Sequence, residues 1–109
     1  MDVVREDVKR LVMKELQAAN EKFPLFSSSH EGYAVILEEL EEIYDEETRL
    51  EPGIHGLWCS VKGDDPDGCK RYCNQIYKSA INTAVEAIQT AAMAEKFMDS
   101  MKGIKRVQS

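Results

Sequence analysis

The chain has 109 residues, of which 43% are hydrophobic and 31% are charged, and its formal net charge is −6. This length suits one folded domain over residues 1–109, and the low counts of three prolines and six glycines disfavour a fold with many strands and turns. The negative charge argues against a nucleic-acid polymer as a partner, because binding phosphates needs clustered lysine and arginine.

The composition also predicts where the protein works. No apolar run approaches the roughly 20 residues of a membrane-spanning helix, so we expect no membrane contact. The first residues include Asp2, Arg5 and Glu6, and they lack the apolar core of a signal peptide. Three cysteines are an odd number without a repeated framework, which is typical of a reducing compartment. We therefore predict a cytoplasmic protein.

Apolar residues recur at helical spacing along most of the chain, which predicts an all-α fold. We expect a helical bundle of three main helices, near residues 3–20, 29–50 and 67–101. The two ends of the chain, residues 1–2 and 103–109, are expected to be frayed.

The boundaries of the second helix carry the clearest local signals. Ser28 and Glu31 have the spacing of a capping box, in which the Ser28 hydroxyl accepts from the Glu31 amide and the Glu31 carboxylate reaches back. Pro52 and Gly53 are expected to end the helix. The piece that follows, residues 54–62, is predicted to be irregular with one or two helical turns.

The second predicted helix is strongly acidic, yet the spacing of its apolar residues also predicts an apolar face. Six apolar residues recur there at helical spacing: Tyr33, Ile36, Leu37, Leu40, Ile43 and Tyr44. Three acidic residues fall opposite, where charged side chains are solvated: Glu38, Glu41 and Asp45. Three more line one edge of the apolar face: Glu39, Glu42 and Glu46. Carboxylates one turn apart repel each other, and a bound cation would remove that repulsion.

The last predicted helix has no glycine or proline between Cys69 and Lys102, and its middle is rich in alanine. A helix of this length exceeds what one small domain covers, so the stripe from Ala80 to Met98 is expected to lie between subunits. We therefore predict that oligomerisation completes the bundle. Glu86 and Gln89, three residues apart, face away from the centre of this stripe.

If the two polar edges meet, four oxygen-bearing side chains converge: Glu39, Glu42, Glu86 and Gln89. Hard cations such as Mg²⁺, for which Mn²⁺ can substitute, prefer carboxylate and water oxygens and keep substrate phosphates among their ligands. Such a site polarises a phosphoryl oxygen and orients an attacking water.

Glu38-Glu39-x-x-Glu42 resembles the EExxE motif of the all-α nucleoside triphosphate pyrophosphohydrolases, the MazG-like and dimeric dUTPase superfamily. The resemblance implies a MazG-like helical fold, assembly as a homodimer or homotetramer, and Mg²⁺-dependent release of pyrophosphate from a nucleoside triphosphate. It implies that Glu39 and Glu42 form the first metal-binding pair. Glu86 and Gln89 match the second pair, and Glu38 is a possible catalytic helper for water or metal.

Two features of the chain depart from the family pattern. The family has aspartate where Gln89 stands, so one ligand oxygen is neutral here. The interval between the two pairs is also longer, with residues 52–68 acting as an insertion. A catalytically degenerate member that keeps the fold fits both departures.

Two other interpretations stay open. Glutamates are common on helices, so the acidic edge can be a solvated face without a ligand. The chain can also be a non-enzymatic acidic helical adaptor, of phage or mobile-element origin, that oligomerises and binds a protein. A melting temperature that rises with metal separates these classes, because only a metal site binds the native state.

Three further features of the sequence resemble parts of binding sites. Four residues form an H-x3-C and C-x3-C set that could hold zinc: His55, Cys59, Cys69 and Cys73. Their spacing is looser than the usual C-x2-C knuckle, and reduced cysteine also packs as a small apolar residue. Trp58 is expected either to plug one end of the bundle or to stack on a nucleobase. Glu95 falls within the apolar stripe, where a carboxylate needs a partner.

Overall fold

The computed structural model describes residues 2–103, with side chains from Val3 onward. It contains three helices: α1 at Asp2–Lys22, α2 at Ser29–Lys62 and α3 at Pro66–Gly103. No strand occurs within residues 2–103, so the predicted all-α class with three main helices is confirmed. No helix in this range is long and apolar enough to cross a membrane. Met1 and residues 104–109, where fraying is predicted, lie outside the described residues.

The second helix is longer than predicted. α2 continues through Pro52 to Lys62, so the expected stop at Pro52 is wrong. Residues 54–62 are the last part of α2 and do not form a separate short turn.

Two glycines explain why the helix continues. Gly53 and Gly56 are buried on α2. A Cβ at Gly53 would lie 3.0 Å from Ile76 Cγ1, and a Cβ at Gly56 would overlap the Tyr72 ring. The glycines thus let α3 side chains pack directly on the α2 backbone. This packing outweighs the low helix propensity of the Pro-Gly pair.

The connection between α2 and α3 covers only residues 63–65. The Asp65 amide donates to the Ser60 carbonyl at 2.9 Å, and the Asp64 amide donates to the Val61 carbonyl at 3.2 Å. These two bonds form a Schellman motif at the end of α2. Asp64 occupies its left-handed position, with a φ of 49°, where glycine is the usual residue.

Asp65 also caps the start of α3. Its Oδ1 accepts from the Gly68 amide at 3.0 Å. Pro66 follows as the first helical residue, a position where the missing N–H of proline is not needed. A Cβ at Gly68 would overlap both Asp65 and Ser60, so this close cap requires glycine.

The predicted capping box at the start of α2 forms in part. The Glu31 amide donates to Ser28 Oγ at 3.1 Å, as predicted. The Glu31 carboxylate accepts from Ser27 Oγ at 2.8 Å rather than from the Ser28 amide. The boundary of the helix was therefore predicted correctly, although the second bond of the box has a different donor.

The chain divides into two compact units, Met1–Leu40 with Ala87–Ser109 and Glu41–Glu86. The first unit holds α1, the start of α2 and the end of α3. The second unit is a helical hairpin formed by the rest of α2, the three-residue connection and the first part of α3. The contacts of Gly53, Gly56 and Gly68 and the Asp65 cap all belong to this hairpin.

The core of the first unit is small. Its buried apolar side chains are Leu16, Phe26 and Ala92. The rings of Phe26 and Phe97 lie 6.5 Å apart between centroids and are tilted by 58°, an arrangement that aromatic pairs favour. A Cβ at Gly32 would overlap the Phe97 ring, so this glycine lets α2 approach the aromatic pair.

α2 is rotated relative to the prediction. Of the residues in its predicted apolar face, Ile36 and Ile43 are half-buried. The other four are exposed: Tyr33, Leu37, Leu40 and Tyr44. Glu39 and Glu46, predicted at the edge, are half-buried instead. The predicted solvated stripe is confirmed, because its three members are exposed: Glu38, Glu41 and Asp45.

α3 separates the apolar stripe that is expected to lie between subunits from a row of polar side chains. Most of its small apolar stripe is exposed in the single chain: Ala80, Ala84, Ala87, Ala91 and Met98. Glu86 and Gln89 are half-buried, while Lys96 and Ser100 are buried. α3 therefore buries a row of polar side chains, which apolar periodicity alone did not predict.

The double role of Asp65 gives a prediction for stability. Asp65→Ala removes the cap of α3 and should lower the free energy of unfolding by about 1 kcal/mol. Asp64→Gly is the matched change one residue earlier. Because it relieves a left-handed backbone at an L-residue, it should raise stability by up to about 1 kcal/mol. Urea denaturation measures both effects, and a loss of stability in Asp64→Gly would contradict the Schellman assignment.

Candidate metal centre

Three of the four predicted metal ligands lie together. Glu39 and Glu42 are one turn apart on α2, and Glu86 is on α3. One carboxylate oxygen from each lies within 4.8 Å of the others. Glu39 and Glu86 are half-buried and Glu42 is exposed. Among the described residues, no other group of three histidine, cysteine, aspartate or glutamate side chains is this close.

The cluster suits a hard divalent cation in charge and in donor type. Mg²⁺ prefers carboxylate oxygens and binds them at about 2.0–2.1 Å, so its opposite ligands are about 4.2 Å apart. Neighbouring ligands of an octahedral Mg²⁺ are about 3 Å apart, so the three oxygens, which lie within 4.8 Å of one another, would have to move closer together to bind one ion. Three negative charges at this distance repel one another, and a divalent cation offsets the repulsion.

Gln89, the fourth predicted ligand, is half-buried one turn after Glu86 on α3. Within the first unit, Gln89 and Glu39 line the same cavity, which has a volume of about 740 Å³. Because the amide oxygen of Gln89 is neutral, the predicted ligand set carries three negative charges rather than four.

Two other glutamates of α2 differ in environment from the cluster. Glu38, the predicted catalytic helper, is exposed. Glu46 has only 14% of its side chain exposed and forms an ion pair with Arg49. It is outside the group of three, so the acidic row of α2 divides into Glu39 and Glu42 in the cluster and Glu46 in a local ion pair.

The structure does not assemble the possible zinc set. Cys59 Sγ lies 3.8 Å from His55 Nε2, one turn earlier on α2. Cys69 is half-buried, and Cys73 is exposed. No three of these four side chains form a metal-binding group within the described part of the chain, because His55 and Cys59 alone come together.

The other two residues singled out by sequence have simple surroundings. Trp58 is 56% exposed, and Lys62 Nζ lies 5.4 Å from the centre of its ring. The expectation that Trp58 plugs the bundle is therefore wrong for the single chain. Glu95 is half-buried, and it has no ion pair with any described residue.

The sequence did not predict the most buried charged side chain among the described residues. Lys96 is 3% exposed and lines the cavity that Gln89 and Glu39 also line. The sequence does contain a signal that Lys96 belongs to a polar face. Five residues of α3 are spaced by three and four positions and so share one face: Glu86, Gln89, Met93, Lys96 and Ser100. Apolar periodicity directed attention to the alanine face instead.

The chain was also compared with known proteins. No protein-family model, no curated protein and no solved structure matches it.

The charge of the cluster gives a prediction for the metal-free protein. Glu42→Gln should raise the free energy of unfolding by a few tenths of a kcal/mol, because it removes one charge from the group. Gln89→Asp should lower it by a similar amount. Glu38→Gln is the control, since it makes the same change of net charge on the exposed face.

Thermal unfolding in EDTA measures these shifts. If Glu42→Gln and Glu38→Gln changed stability equally, the proximity of the three carboxylates would have no energetic effect, contrary to this prediction.

Proposed function

We propose that the protein is a Mg²⁺-dependent nucleotide pyrophosphohydrolase-like protein that converts a nucleoside triphosphate to the monophosphate and pyrophosphate. The observation that carries the proposal is the cluster of Glu39, Glu42 and Glu86, with carboxylate oxygens within 4.8 Å. The resemblance of Glu38-Glu39-x-x-Glu42 to the EExxE motif supports the same assignment. The neutral Gln89 is consistent with a catalytically weak member of such a family.

Each residue has a definite part in this proposal. Glu39, Glu42 and Glu86 hold the ion, and Gln89 supplies a neutral oxygen beside Glu39. When bound, Mg²⁺ would neutralise charge on the phosphates and on the pyrophosphate leaving group. Glu38 is exposed and therefore accessible to water, and its role as a base that takes a proton from the attacking water remains a prediction.

Calorimetric titration with Mn²⁺ tests the ligand set. Glu39→Gln should weaken binding because it replaces a charged oxygen by a neutral one, whereas Gln89→Asp should strengthen it by adding a charge. Glu46→Gln is the matched control on the same helix, because Glu46 lies outside the cluster, and it should bind Mn²⁺ like wild type. Turnover of a panel of NTPs and dNTPs then identifies the substrate.

Negligible Mn²⁺ heats in wild type and in all three variants would show that the acidic group is a solvated face. The enzyme assignment would then fail. The adaptor alternative would gain support from the same result, particularly if Mg²⁺ and Mn²⁺ left the melting temperature unchanged.

We also propose that the protein is a homodimer or homotetramer. α2 exposes apolar residues separated mostly by three and four positions: Tyr33, Leu37, Leu40, Tyr44, Ile54, Trp58 and Val61. α3 exposes a similar stripe of smaller residues, including Ala84 and Ala91. This spacing is the one by which helices pack side by side in coiled coils. The matching stripes on one chain favour a second copy of the chain as the partner that covers them.

Light scattering tests the assembly. Wild type at micromolar concentration should have at least twice the 12.4 kDa mass of one chain. Leu40→Glu places a charge in the exposed apolar stripe of α2 and should shift the protein towards the single chain. Glu41→Gln, on the solvated stripe, should leave the mass unchanged. A wild-type protein of 12.4 kDa would contradict the proposal.

A further inference from the structure

A cavity in the first unit contains a lysine without an anionic partner. Lys96 lines this cavity of about 740 Å³, yet only 3% of its surface is exposed. Its Nζ lies 5.0 Å from the centre of the Phe26 ring. The Lys96 side chain makes no ion pair or hydrogen bond with any residue that the structure describes.

This environment gives the ammonium group an aromatic ring face but no hydrogen-bond acceptor among the described residues. Removing a charged group from water is costly unless it is paired and hydrogen-bonded. The face of an aromatic ring attracts a cation but accepts none of the three strong hydrogen bonds that an ammonium group can donate. A buried lysine that lines a cavity therefore has donors available for a ligand.

The position of Lys96 is fixed by a short network. Ser100 Oγ donates to the Lys96 carbonyl at 2.7 Å. The Phe26 amide donates to the same Ser100 Oγ at 2.9 Å. The hydroxyl of one buried serine thus joins the backbone of Lys96 to the backbone of Phe26, whose ring faces the ammonium. Such a site is preorganised, because binding need not order these groups.

The carboxylates that line the cavity form no ion pair with Lys96, so its ammonium group can bind a ligand. Glu31 accepts a hydrogen bond from Ser27, and Glu39 belongs to the acidic cluster. Glu15 also lines the wall, but it lies beyond ion-pair distance of Lys96. Phe23 adds a second aromatic ring. The wall therefore combines one buried cation, two aromatic rings and carboxylates that are not paired with that cation.

We propose that this cavity binds a phosphate ester. Its anionic oxygens accept hydrogen bonds from Lys96, and its apolar part lies against Phe23 and Phe26. The carboxylates of the wall oppose any anion, so the site selects ligands that also offer an apolar group to the rings. The residues of the proposed anion site all belong to the first unit. Its identification as the site for the phosphates of the substrate rests on the proposed function, because Glu39 and Gln89 line the same cavity.

Phenyl phosphate is a suitable probe, with inorganic phosphate as the comparison that lacks the apolar group. Both are titrated calorimetrically in EDTA, so that no metal ion contributes. Wild type should bind phenyl phosphate more tightly than inorganic phosphate. Lys96→Met keeps the length and apolar stem of the side chain, and it should weaken phenyl phosphate binding by about tenfold or more.

Lys22→Met is the matched control. It makes the same change of charge at an exposed lysine of the same wall, whose Nζ lies 5.8 Å from the Phe23 ring. We expect its affinity for phenyl phosphate to stay within about threefold of wild type, since an exposed cation contributes little. Without ligand, Lys96→Met should melt at or above the wild-type temperature, because it removes an unpaired charge from a side chain that is only 3% exposed. This second measurement shows that the variant folds.

Glu39→Gln separates this inference from the proposed function. In EDTA it should bind phenyl phosphate at least as tightly as wild type, because one negative charge leaves the wall. If Lys96→Met and wild type bind phenyl phosphate equally, or if wild type does not bind it, the anion site is overturned whatever Mn²⁺ does. If the Lys96 effect is found but Mn²⁺ does not bind, the anion site stands and the proposed enzymatic function falls.

Discussion

The burial of charged side chains is the constraint on which the rest of this structure depends. The more buried positions of α2 and α3 include Glu39, Glu46, Glu86 and Lys96. A charge removed from water needs a counter-charge or strong hydrogen bonds. Glu46 has an ion pair with Arg49, which illustrates a local solution. The proposed counter-charge of the carboxylate cluster is a divalent cation, and the proposed counter-charge of the lysine in the cavity is a phosphate ester.

These two solutions are chemically related. A divalent cation and an ammonium group are both groups that attract phosphate oxygens. Within the first unit, Glu39, Gln89 and Lys96 line one cavity.

The small core of the chain has a second consequence. Only Leu16, Phe26 and Ala92 are buried apolar residues among those described, whereas the larger apolar side chains of α2 are mostly exposed. Glycines carry much of the close packing, because Gly53 and Gly56 admit α3 side chains against the α2 backbone. A fold built in this way leaves its apolar stripes exposed, and this exposure is the reason for proposing an assembly of several copies.

The sequence by itself determined the class of the fold, its three main helices and several of their boundaries. Helical periodicity, the Ser28 cap and the absence of glycine and proline from most of α3 are local signals, and local signals depend on neighbouring residues only. The sequence also placed Glu39 and Glu42 one turn apart, because i and i+3 spacing fixes the relative position of two side chains on one helix. Only the tertiary structure brings Glu86 close to them.

Only the tertiary structure decided which face of each helix is buried and where α2 ends. Periodicity located an apolar stripe on α2, but Tyr33 and Tyr44 are exposed, and Pro52 does not stop the helix. Both outcomes depend on contacts between segments distant in sequence, such as Gly53 with Ile76 and Phe26 with Ser100. Lys96 was missed for a related reason, since its spacing places it on the polar face of α3 with Glu86 and Ser100, but spacing does not show that this face is buried.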